Sequence, residues 1–142
     1  MKRNLVLSVL VTAIGFSVGA QQIDASKVPA AVKAAFAKKY PGQPVKWEKE
    51  NGQFEAGFKQ NGKNSSALFT AGGTMTESEM EIKPSELPAP VLAYVKAHYK
   101  GAAIKEGAKI TKADGTVNYE AGVNRKDVIF DEKGNFLKEA KD

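Results

Sequence analysis

The segment KVPAAVKAAFAKKYPG at residues 27–42 returns, reworded, as ELPAPVLAYVKAHYKG at residues 86–101, and this repetition constrains the fold more than any other feature. Pro29, Ala30, Val32, Ala34, Tyr40 and Gly42 meet Pro88, Ala89, Val91, Ala93, Tyr99 and Gly101 at one constant offset. Proline opens each copy and glycine closes it. At a helix start, proline gives up only an N–H that has no helical partner, and glycine past the end accepts left-handed backbone. Val28, Val32, Ala35, Phe36 and Tyr40 share one stripe, as do Leu87, Val91, Tyr94, Val95 and Tyr99, so the spacing predicts two amphipathic helices.

After each helix the apolar period changes from about 3.6 to 2 and turn dipeptides arrive at short intervals, the pattern of hairpins. In the first half Val45-Trp47, Phe54-Ala56-Phe58, Ala67-Leu68-Phe69 and Met75 to Ile82 are separated by Asn51-Gly52, Asn61-Gly62 and Gly72-Gly73. In the second, Ile104 to Ile110, Val117 to Val123, Val128-Ile129-Phe130 and Phe136 are separated by Asp114-Gly115, a turn near Arg125, and Lys133-Gly134. Phe54-Glu55-Ala56-Gly57-Phe58 matches Tyr119-Glu120-Ala121-Gly122-Val123, and Phe69 and Gly73 match Phe130 and Gly134, so length differences fall at turns. The expected fold class is therefore α+β: a tandem repeat in which each unit, residues 21–83 and 84–142, carries one helix and an antiparallel sheet of up to four strands. The helix would cover one sheet face and leave the other toward water or a partner. A unit of roughly 55 residues buries only about 60% of its unfolded surface, so each half needs the other.

Ahead of the repeat, Lys2 and Arg3 precede the apolar run Leu5 to Val18, and Val18-Gly19-Ala20 supplies small residues for a peptidase. Residues 1–20 read as a secretory signal peptide, cleaved between Ala20 and Gln21, because the run is shorter than the ~20 residues of a membrane span. Removing Lys2 and Arg3 lowers the formal charge from +5 to +3, so much of the basicity is targeting. Only Arg125 remains among arginines, and lysines alternate with glutamates throughout, which is not the basic stripe of a nucleic-acid binder. The absence of cysteine removes disulfides, thiolate metal sites, cysteine nucleophiles and lipid attachment at an N-terminal cysteine together. Once the leader is removed, the chain is expected to be an exported protein with no membrane span.

The stretch Phe69-Thr70-Ala71-Gly72-Gly73 with its counterpart Phe130-Asp131-Glu132-Lys133-Gly134, and Glu79-Met80-Glu81-Ile82 running into Glu86-Leu87-Pro88 and Val91, carry a family likeness. The chain resembles the PepSY-like family of exported bacterial proteins, also described as beta-lactamase-inhibitor-like, over essentially its whole length after the leader. The resemblance implies a tandem helix-plus-sheet fold, a secreted or periplasmic location and no catalytic residues, and related domains have been proposed to restrain peptidases. The first copy departs from the second where Thr70 stands for Asp131 and Gly72-Gly73 for Lys133-Gly134.

Several residues invite chemical readings. His98 is the only histidine, too little for a zinc site or a Ser-His triad, and reads as a partly exposed helix residue. Glu77, Glu79 and Glu81 alternate along one strand face; clustered carboxylates can raise one another's pKa, but three in a row read first as a solvated edge that discourages aggregation. Asp131, Glu132 and Asn135 lack the alternating ligands of a calcium loop and read as a hairpin turn. Trp47 shares its phase with Val45 and reads as core. On the opposite phase Lys46, Glu48, Glu55 and Lys59, with Lys105, Lys109, Glu120 and Asn124 from the second copy, form the candidate partner-binding sheet face. With no convergent catalytic set and no cofactor motif, the chain reads as an exported non-catalytic binding module for a protein of the cell envelope, such as an inhibitor or modulator of a peptidase. The alternative is a periplasmic carrier of a small ligand or cation, held in a cleft between the halves.

Overall fold

In the computed structural model, which describes residues 21–141, the turn chemistry sets the strand register. The predicted leader, residues 1–20, lies outside the described residues. Asn51-Gly52 and Asn61-Gly62 both hold positive φ at their two central positions, as a two-residue hairpin turn requires. Among the described residues nine strands occur in chain order: β1 (Gln21–Ile23), β2 (Lys46–Glu50), β3 (Gln53–Gln60), β4 (Lys63–Phe69), β5 (Met75–Ile82), β6 (Glu106–Lys112), β7 (Val117–Val123), β8 (Lys126–Asp131) and β9 (Phe136–Lys141). Helix α1 (Ala30–Lys39) joins β1 to β2, and α2 (Ala89–His98) joins β5 to β6.

Every strand pairs antiparallel with its neighbours in sequence, giving one nine-stranded sheet. This corrects the expected tandem of units that each carry one helix and a sheet of up to four strands. β5 and β6 pair from Glu77↔Lys112 to Ile82↔Gly107, straight across the proposed boundary at residues 83 and 84. Two separate sheets would each have left a long edge of unpaired N–H and C=O groups here, and joining them satisfies both. β1, paired through Gln21↔Lys49 to Ile23↔Trp47, adds a strand that hydrophobic patterning did not signal.

Pro29 and Pro88 take the N-cap positions, one residue before the helices proper. Their carbonyls accept the first helical N–H groups, from Val32 and Lys33 and from Val91 and Leu92. Val32 and Phe36 of α1 pack on Trp47, Phe54, Ala56, Phe58, Ala67 and Phe69. Phe36 meets Trp47 and Phe58 edge-on at centroid distances of 5.5 and 5.2 Å, an arrangement aromatic quadrupoles favour. Val91 and Val95 of α2 pack on Ile82, Leu87, Ala121, Val123, Val128 and Phe130. The pairing Ala67↔Ser78↔Thr111 carries the face under α1 into the second half, and Gly107↔Ala121↔Val128 carries it on beneath α2. Both helices therefore cover the same face. Two turns tuck beneath them: a Cβ on Gly73 would stand 2.6 Å from the Ala31 carbonyl oxygen, and one on Gly134 2.8 Å from Pro90 Cβ.

Among the described residues the other face carries no helix, yet Ile110 and Ile129 on it are 0% and 1% exposed and form a small cluster of their own. They stand on β6 and β8, with β7 between. Their neighbours across the ladder on this face are long or polar side chains: Glu79 and Asn118 flank Ile110, and Glu120 and Lys138 flank Ile129.

Candidate functional site

Residue pairing places a set of carboxylates on that open face. Glu77 and Glu79 come from β5, Glu106 from β6, Glu120 from β7, Asp127 from β8 and Glu55 from β3. Small residues alternate with them: Ala108 stands between Glu81 and Glu120, and Gly122 between Glu106 and Asp127. Glu55, Glu120 and Asp127 are buried, Glu77 and Glu79 half-buried, and Glu106 and Glu81 exposed. Glu81 is tied to its neighbour across the ladder, accepting a 2.7 Å hydrogen bond from Asn64 Nδ2.

Removal from water is the main force on these groups. It raises the Glu79 carboxyl well above the ordinary range, and the charges of Glu55, Glu77, Asp127 and Glu106 raise it further. Glu120 is raised well above that range for the same reason, then by Glu79, Asp127, Glu106 and Glu77. Two such carboxyls titrate as a pair. At Glu77 burial also raises the pKa, but Lys112 and Lys138 partly offset it. The Glu120 Oε2 atom is buried and accepts no hydrogen bond among the described residues. A buried acceptor left in this state costs roughly 1–3 kcal/mol, more when charged.

The structure divides the face expected from the sequence. Lys46 pairs with Gly57, Glu48 stands directly across from Glu55, and Lys59 pairs with Asn64, all on the open side. Lys46 and Lys59 are exposed and lie toward the rim, whereas Glu55 and Glu120 are buried near the middle. Lys109 pairs with Tyr119 and Met80, so it lies on the helix-bearing face, opposite to Glu120. Lys105 precedes β6, where its N–H donates to the Gly122 carbonyl, and Asn124 occupies the β7–β8 turn with φ 53°. Gln21, beside the expected cleavage point, opens β1, while Ala20 lies outside the described residues.

The glutamate row of β5 is not the solvated edge it was expected to be, because β5 is the central strand of the sheet. Asp127 and Glu106 were not singled out from the sequence. Their signal was present in phase, since Asp127, Gly122 and Glu106 occupy one rung, but it could be seen only once β6, β7 and β8 were paired. Trp47 is core, 3% exposed. His98 is exposed on α2, stacked on Tyr94 at 3.9 Å between centroids. Asp131 closes its turn by accepting from the Lys133 and Asn135 N–H groups and from Asn135 Nδ2, which holds its carboxyl below the usual range.

Among the described residues no group of three His, Cys, Asp or Glu is placed to hold a metal ion. The cleft on the helix side between the two halves, lined by Tyr40, Phe58, Ser78, Met80, Lys109 and Thr111, has a volume of about 150 Å³, below the ~300 Å³ at which small-molecule sites begin. A wider, shallow groove of about 410 Å³ runs beside α1 over Ala35, Phe69 and Met75. No described helix is long and apolar enough to cross a membrane.

A family model described as "Putative beta-lactamase-inhibitor-like, PepSY-like" matches the chain twice, over residues 17–77 and 52–138. No curated protein matches it. Among solved structures, a "putative periplasmic" protein from Bacteroides eggerthii superposes with a TM-score of 0.73 at 19% identity, covering 80% of this chain and 88% of its own. A DUF2874 family protein from Bacteroides ovatus gives 0.70 at 20% identity, covering 80% and 86%. A BLIP-like protein from Bacteroides fragilis gives 0.66 at 23% identity, with the same coverage. At these identities the likeness is one of fold, and together with the doubled match across residues 17–138 it places this chain in the PepSY-like, beta-lactamase-inhibitor-like family.

Proposed function

We propose that the chain is a non-catalytic periplasmic module that binds a protein partner through the open face of its sheet. The observation that carries this reading is the uncovered face itself, with buried and half-buried carboxylates at its centre and exposed lysines toward its rim. A face that no described helix covers, across a nine-stranded sheet, has the extent of a protein interface, and its polar composition suits a partner met in water rather than a permanent one. The periplasmic description of the B. eggerthii structure and the BLIP-like description of the B. fragilis structure support the location and the inhibitor-like role. The partner is an enzyme of the envelope, such as a peptidase, which the chain restrains or modulates. A small ligand held between the halves is less favoured, because that cleft is half the size such a ligand needs.

Affinity capture from a periplasmic extract tests the reading, with residues 21–142 as bait. A bait with Lys46, Glu55, Lys59 and Glu120 changed to alanine should lose the partner, and one with Lys38 and Lys39 on α1 changed should keep it. Capture that is empty, or lost only with the α1 variant, would contradict the proposal.

A further inference from the structure

On the open face Ala108 and Gly122 keep the ladder low between carboxylates on β5, β6, β7 and β8. A Cβ at Gly122 would come within 3.3 Å of Glu106 Cβ, so Glu106 would have to give by a few tenths of an ångström. Ile110 and Ile129 stand beside Glu120 on the same face as dry, apolar neighbours. Glu120 itself is 3% exposed and keeps Oε2 without a hydrogen bond among the described residues. Around this acceptor, which lacks a donor among the described residues, stand the carboxylates of Glu79, Asp127, Glu106 and Glu77 and the apolar Ile110 and Ile129, with Asn118 and Lys138 on the same face.

We propose that this carboxylate cluster receives the guanidinium group of one arginine side chain from the protein partner. The inference rests on the open-face reading above and specifies the chemistry of its anchor. Three alternatives fall away on physical grounds. A divalent metal needs several oxygens converging at roughly 2.0–2.6 Å, and no described triad does so. A lysine ammonium is strongly hydrated and surrenders its proton readily when buried. A neutral amide would leave the charge of the cluster unanswered. Guanidinium stays charged, is weakly hydrated, and spreads five donors in a plane, so it can reach carboxylates on separate strands while its flat faces meet isoleucine.

Binding would be coupled to proton loss. Glu77 and Glu79 on β5, Glu106 on β6, Asp127 on β8 and Glu55 on β3 all bear on Glu120 or its neighbour Glu79, while Lys112 on β6 and Lys138 on β9 act on Glu77. A proton held among these groups leaves to solvent as the guanidinium arrives, so affinity rises with pH.

The test is a backbone-amide NMR titration of residues 21–142 with the capped peptide Gly-Gly-Arg-Gly-Gly, against its lysine and citrulline versions. Saturable shifts centred on Ala108, Glu120 and Ile129 are expected, strongest for arginine and absent for citrulline. Glu120→Gln should weaken binding about tenfold, the worth of one charge-assisted hydrogen bond, and Glu79→Gln should do likewise, while Glu132→Gln at the β8–β9 turn should not. Both glutamine variants keep the side-chain shape, and the spectrum reports their folding directly. Equal shifts from citrulline, indifference to both glutamine variants, or the same shifts produced by calcium chloride would overturn the proposal. A captured partner that is lost on the four-residue open-face variant but retained by Glu79→Gln/Glu120→Gln would overturn it and leave the open-face reading standing. An empty capture beside a positive arginine titration would contradict the open-face reading and overturn the assignment of the guanidinium to a protein partner.

Discussion

Replacing Glu120 by glutamine should make the protein more stable at neutral pH and flatten the dependence of its stability on pH. Glu120 is almost wholly buried, and its carboxyl is raised by that burial and by four neighbouring carboxylates. A carboxyl raised in the fold binds its proton more tightly folded than unfolded. Its contribution is therefore fully present below the unfolded pKa of about 4.3 and is lost as pH rises toward the folded value. Each pH unit in that window costs about 1.4 kcal/mol per proton held. Between pH 5.5 and 7.5 Glu120 should thus remove up to about 3 kcal/mol, or on the order of 10 °C in Tm for a domain of this size. Glutamine cannot ionise, so the difference between the two proteins should grow across this range, with Glu79 retaining a slope of its own. Urea unfolding of residues 21–142 and of Glu120→Gln at pH 5.5, 6.5 and 7.5 gives the difference directly. Parallel curves, or a wild-type protein that gains on the variant as pH rises, would refute the burial argument.

Other consequences of the structure can be checked by the same unfolding assay. Phe36→Ala removes the ring that joins Trp47, Phe58 and Tyr40 and should cost about 3–5 kcal/mol. Gly73→Ala combines a φ of 86° with a Cβ forced onto the Ala31 carbonyl, and a loss of about 2–3 kcal/mol is expected; no loss would mean the turn does not lie under α1. Lys126→Ala breaks a 2.7 Å ion pair with Glu139, but both side chains are more than a third exposed, so the change should stay within about 1 kcal/mol. Residues 21–83 and 84–142 expressed separately should each fail to show a cooperative transition, because cutting between them exposes the facing edges of β5 and β6.

Much of the fold was written in local signals. Proline and glycine bracketed the helices to within three residues, and Asn51-Gly52 and Asn61-Gly62 fixed their hairpins through a need for positive φ. The joining of β5 to β6 was not local: it spans a 23-residue connection containing α2, and nothing in either strand names the other as its partner. The same gap hid the site. Glu77, Glu79 and Glu81 were legible as one face of a strand, but whether that strand was an edge or the centre decided whether they met water or Glu120. Lys109 was assigned by charge to the face of Glu120, whereas its pairing with Tyr119 puts it on the other side. Sequence phase gives the face of each strand separately, and only the register relates one strand's face to the next.

The central claim is that the open face, not the helix-covered one, meets the partner. Carbodiimide labelling of carboxylates, read residue by residue by mass spectrometry with and without the captured partner, tests it most directly. Glu77, Glu79 and Glu106 should be protected in the complex while Glu86 and Glu132, away from that face, label as before. Protection of Glu86 or Glu132 with unchanged labelling of the β5 and β6 glutamates would contradict the account.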